Sequence, residues 1–94
     1  MNAEDLVLNI AVNMGRLSRW STEGRLERIK QFLIETNGYL VKLDEVEVSE
    51  KFKPTLERFK KDFELLKKDS YSSMEFAEKA LTWANILQHR AKLA

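Results

Sequence analysis

The chain has 94 residues, no cysteine, one histidine, and 16 basic against 15 acidic side chains, a formal net charge of +1. A single domain of this length buries about 60 to 65 percent of the surface its unfolded form exposes, so a core needs no staples, and the missing thiols exclude disulfides, a thiolate metal site and a cysteine nucleophile. So even a balance creates no overall field toward nucleic acid or an anionic membrane, and the halves differ only mildly: six basic and eight acidic groups in residues 1–48, ten and seven in residues 49–94.

The first segment is predicted as a helix over about residues 3–20. Ala3, Val7, Ile10, Met14 and Leu17 recur at heptad-like spacing, with Leu6 and Ala11 flanking them. Asn2 is placed to cap this helix, and Glu4 and Asp5 sit where the helix dipole favours negative charge. The acidic start, and Asn9 and Asn13 inside the apolar run Leu6 to Met14, leave no expectation of a signal peptide. No run of about 18 apolar residues offers a membrane-spanning helix. Ser21 to Gly24 reads as a short connection in which Ser21 or Thr22 caps the next helix.

A second helix is expected over about residues 22–43, from the stripe Leu26, Ile29, Leu33, Thr36, Leu40 and Leu43, with Phe32 and Tyr39 beside it. Asn37-Gly38 alone would signal a turn or a helix end. The stripe nevertheless stays in phase through Leu40 and Leu43, so it predicts a continuous helix with a soft spot. Asp44 to Ser49 is the longest connection. In the third segment Phe52, Leu56, Phe59, Phe63 and Leu66 alternate steps of four and three among charged residues, a sharply one-sided helix. A helix starting at Ser49 would place Pro54 where it lacks a donor and crowds the Glu50 carbonyl, so an irregular turn comes first and the helix covers about residues 54–68. The last helix, about residues 73–92, opens with Ser72 and Glu75 spaced as a capping box. Its stripe is Phe76, Ala77, Ala80, Trp83, Ala84, Leu87 and Ala91. Four helices with short connections predict an all-α, single-domain chain over residues 1–94, folded as an antiparallel up-down four-helix bundle.

The chemistry is sparse. His89 lies about half a turn from its helix's apolar stripe, and with no second histidine and no cysteine no metal site or cofactor is expected. Capping accounts for Ser21, Ser49 and Ser72 without a hydrolytic triad. Glu57 and Glu64 precede Lys61 and Lys68 by four residues, the orientation of exposed helix ion pairs. The paired Glu-x-x-His repeats of di-iron bundles and glycine-rich phosphate loops are both absent. No enzyme is expected; a ligand pocket near Trp83, His89 and Tyr39 would rest on residue types alone.

At 100° per residue, Leu8 and Val12 point roughly 120 to 180° away from the first stripe, with Gly15 beside them. Ile34 and Val41 lie opposite Leu33 and Leu40, and Ile86 and Leu93 form a second line on the last helix. The third helix has only Leu65 out of line. These two-sided helices predict a small cytoplasmic protein–protein interaction module, a homo-oligomer such as a dimer or the binder of another protein, with Leu8, Val12, Gly15, Ile34 and Val41 as the interface and the third helix as an outer wall. Asn9, Asn13 and Asn85, near the stripe margins, are placed to fix helix register. The alternative is a nucleic-acid-binding regulator using Arg16, Arg19, Trp20, Arg25, Arg28 and Lys30, since arginine with tryptophan can hold a phosphate and stack a base. Glu23 and Glu27 interleave with these cations.

Overall fold

The computed structural model describes residues 1–94 and contains four α-helices and no strand: α1 Ala3–Glu23, α2 Leu26–Asp44, α3 Lys53–Lys67 and α4 Met74–Arg90, followed by a 3-10 turn Ala91–Leu93. Its principal extents are 36 × 19 × 18 Å, close to the length of α1 in the long direction at 1.5 Å per residue.

Helix α1 begins as its sequence predicts. Asn2 has extended backbone (φ −85°, ψ 176°) and its Oδ1 accepts from the Asp5 amide at 2.8 Å, which satisfies one of the free amides of the first turn. Its end departs from the expectation. The helix runs through Ser21 and Thr22 to Glu23 and stops at Gly24, the one residue with positive φ, 72°. The Gly24 amide donates to Ser21 O and the Arg25 amide to Trp20 O, the paired bonds of a glycine-terminated Schellman motif. Neither Ser21 nor Thr22 caps α2. The Ser21 hydroxyl donates to Tyr71 O, and that of Thr22 to Arg19 O at 2.8 Å. Polar residues read as a break are tolerated inside the helix because carbonyls within reach take their hydroxyls.

Helix α2 is continuous through Asn37 and Gly38, and Ile29, Leu33, Thr36, Leu40 and Leu43 are its buried stripe. After a connection whose Val46 and Val48 lean on the core, the irregular turn before Pro54 is present. The Ser49 carbonyl accepts from the Phe52 and Lys53 amides, Phe52 is fully buried within the turn, and Pro54 falls in the first turn of α3. In α4 the cap is Ser73, not Ser72: the Ser73 Oγ accepts from the Phe76 amide at 3.0 Å. With phenylalanine three residues after the cap, the reciprocal half of a capping box cannot form. The anticipated Glu57–Lys61 and Glu64–Lys68 pairs are also absent. Glu64 meets Lys67 at 2.8 Å instead, and Lys60 reaches across to Asp44 at 2.7 Å.

Packing between helices follows side-chain size. Helix α1 lies closest to α4 and next to α2, while α3 approaches its neighbours least. Ala11 of α1 and Ala77, Ala80 and Ala84 of α4 are small and buried, and the Ser18 hydroxyl donates to Ala77 O at 2.8 Å. On the α2 side, the buried Asn13 amide donates to Glu35 Oε2 at 3.1 Å and Thr36 Oγ1 at 3.3 Å, and Trp20 meets Phe32 edge-on with centroids 4.7 Å apart. Helix α3 is joined to the rest by bulk: Phe59 and Phe63, with Phe52 of the preceding turn, are buried, and Phe59 stands edge-on to Trp83 at 5.2 Å. No buried side-chain nitrogen or oxygen lacks a hydrogen-bond partner.

Candidate functional site

The outward residues of α1 do not stand alone. Leu8, Val12 and Gly15 share one groove of about 340 Å³ with Leu81, Ala84, Asn85 and Gln88 of α4. Small residues create it: because the two helices lie close, their exposed margins merge into one surface. Leu8 is 38% exposed, Val12 52% and Leu81 51%. A Cβ at Gly15 would stand 3.9 Å from the Ala84 Cβ, ordinary contact, so close approach of α4 does not require this glycine.

Ile34 and Val41, 75% and 51% exposed, lie elsewhere. Ile34 borders a depression with Leu33, Asn37, Lys67 and Tyr71, and Val41 lies beside Lys60 and Glu64 of α3. The five residues grouped by helical phase thus fall in three depressions, one between α1 and α4 and two along the seam of α2 with α3. Leu81 is the member sequence reasoning missed. The signal was available in Ala11, Ala77, Ala80 and Ala84, whose size marks α1 and α4 as the closest pair. Of the second line expected on α4, Ile86 is half-buried against the core and Leu93 sits in the terminal 3-10 turn.

The basic group is arranged as a surface lattice around a covered aromatic. Trp20 is buried, with Phe32 against it and the Arg28 guanidinium 5.5 Å from its centroid. Arg16 lies 5.6 Å from the Phe32 centroid. Arg25 pairs with Glu23 at 2.9 Å and Lys30 with Glu27 at 3.5 Å; Arg19 is exposed. No face of Trp20 is open for a base to stack on.

Trp83, His89 and Tyr39 do not converge. The Trp83 indole donates to Asp62 Oδ2 at 2.9 Å beside a cleft of about 270 Å³ lined by Thr55, Arg58, Thr82, Ile86 and Arg90. His89 is exposed, its Nδ1 2.8 Å from Asn85 O, and Tyr39 lies on α2 with the Lys42 ammonium 5.7 Å from its ring. The largest cleft, about 690 Å³, runs from the end of α2 to the start of α3 and mixes Asp44, Glu47, Glu50 and Glu57 with Lys53 and Lys60. There the Lys53 ammonium, hydrogen-bonded to Glu50 at 2.6 Å and attracted by its charge, is held above the ordinary lysine range. No three His, Asp or Glu side chains converge as a metal-binding group, and no helix is long and apolar enough to cross a membrane.

Comparison with protein-family models, with curated proteins and with solved structures gives no match.

Proposed function

We propose that this protein is a non-catalytic helical interaction module of the cytoplasm that self-associates through the groove between α1 and α4. The observation that carries the reading is the joining of Leu8, Val12 and Leu81 from two helices into one apolar strip. Covering such surface contributes about 25 cal/mol per Å², and side chains aligned on a firmly packed helix pair lose little further freedom when covered. We also read the architecture as an antiparallel up-down bundle. Supporting it are the contacts of residue 13 with 36 and 20 with 32, of 44 with 60 and 37 with 67, of 62 with 83 and 55 with 90, and of 18 with 77. In the three consecutive helix pairs the numbers rise on one side as they fall on the other, and the nearness of 15 to 84 beside that of 18 to 77 gives the same sense for α1 and α4.

The nucleic-acid alternative lacks an open stacking ring, and it requires affinity that falls steeply with salt. The leading reading is tested by sedimentation velocity across a concentration series. Val12→Asp and Leu81→Asp are each expected to shift the chain to monomer, with Ile34→Asp indistinguishable from the parent. Association lost in Ile34→Asp and kept in the other two would place the contact on the α2–α3 cleft and overturn it.

A further inference from the structure

The outward strip of α1 reads Asp5, Leu8, Val12, Arg16, Arg19, with steps of three, four, four and three residues. This spacing is symmetric about Val12. All five side chains are exposed, and at 100° per residue they lie on one face. The charge along the strip is not symmetric: it is acidic at the start of the helix and basic at its end. The chain's own ion pairs use other residues, leaving Asp5 and Arg19 unpaired, while the Arg16 guanidinium lies over Phe32 and leaves its stem exposed.

We infer that the face of α1 bordering the groove is covered by α1 of a second copy of this chain, crossing antiparallel about a two-fold axis at Val12; this rests on the self-association proposed above. An isologous contact requires a patch complementary to itself, and this strip meets that requirement in one direction only. Asp5 and Arg19 each lie seven residues from Val12, about 10.5 Å along the axis. An antiparallel pairing therefore sets Asp5 against the partner's Arg19 at both ends, with Val12 on Val12 at the centre. Leu8 then faces the aliphatic stem of the partner's Arg16 and the gap left by Gly15, which has no side chain to fill it. A parallel pairing would set acid on acid and base on base, so charge selects the orientation while the apolar centre supplies the adhesion.

The test is a charge swap read by native mass spectrometry and sedimentation at low salt, about 50 mM, where screening is weak. Asp5→Lys alone makes both ends of the strip basic, and Arg19→Glu alone makes both acidic. Each variant is expected to associate at least about tenfold more weakly than the parent. An equimolar mixture of the two should recover parental association as a heterodimer, which also shows that both variants remain folded. The double variant D5K/R19E should self-associate like the parent. Single variants that associate as the parent does, or a mixture that recovers nothing, would overturn the antiparallel register. If Val12→Asp still abolished association in that case, the apolar-groove reading would survive without it. A parent that stays monomeric up to about millimolar concentration would refute both.

Discussion

Replacing each glycine by alanine should give three outcomes whose signs follow from backbone and space. Gly38 lies inside α2, with φ outside the left-handed region and nothing within 4 Å of where a Cβ would stand. Alanine there removes the entropy an interior glycine loses on folding, about 1 kcal/mol. Unfolding entropy near 2.1 cal/mol/K per residue gives a chain of this length about 200 cal/mol/K, so Tm should rise by about 5 °C. Gly15→Ala should stabilise to a similar degree, since the new methyl meets Ala84 Cβ at 3.9 Å without crowding it. Gly24→Ala should do the opposite. At φ 72° an L side chain costs roughly 1 kcal/mol, and Tm should fall by about 5 °C. Thermal unfolding followed by circular dichroism at low protein concentration reads all three. If Gly38→Ala lowered or left unchanged the Tm, α2 would not be helical through residue 38 and its stripe would not be continuous.

Other consequences can be checked with the same assay. Ser73→Ala should cost about 1 kcal/mol through loss of the α4 cap, while Ser72→Ala should stay within about 0.5 kcal/mol of the parent. Phe63→Ala should cost about 3 to 5 kcal/mol, enough to threaten folding of a marginally stable domain, whereas Leu65→Ala two residues away should be nearly neutral because its side chain is exposed. Asn13→Ala should cost about 1 to 2 kcal/mol. It removes the donor to Glu35 and Thr36 from a buried site, yet Thr36 keeps its own bond to Phe32 O, so no orphaned hydroxyl adds to the loss.

The helices and their buried faces were legible because periodicity is local: Leu6 to Leu17, Leu56 to Leu66 and Phe76 to Leu87 each declare a stripe without reference to anything else. What was not legible depended on a partner. Ser21 looked like a cap because serine often is one, and only the proximity of Tyr71 O explains its place inside α1. Ser72 and Ser73 differ by one residue, and the turn from Ser70 to Ser73 decides between them. Leu8, Val12, Ile34 and Val41 were correctly seen as outward, since all are exposed. The structure spreads them over separate depressions, a division that phase on one helix cannot give because it says nothing about which helix lies beside it. Leu81 joined the strip only once α1 and α4 were adjacent.

The closeness of α1 and α4 also governs how the fold can be reached. The best-packed pair is α1 with α4, linked across fifty-nine residues by the bond of Ser18 to Ala77, and Ser21 reaches Tyr71 in the turn before α4. Contacts so distant in sequence add about 0.6 kcal/mol of loop-closure cost for each doubling of the loop, and they slow folding compared with a bundle of neighbours. During synthesis α2 follows α1 and can cover one side of its stripe, but the side that faces α4 stays bare until α4 has emerged, and that side is the surface then exposed to aggregation.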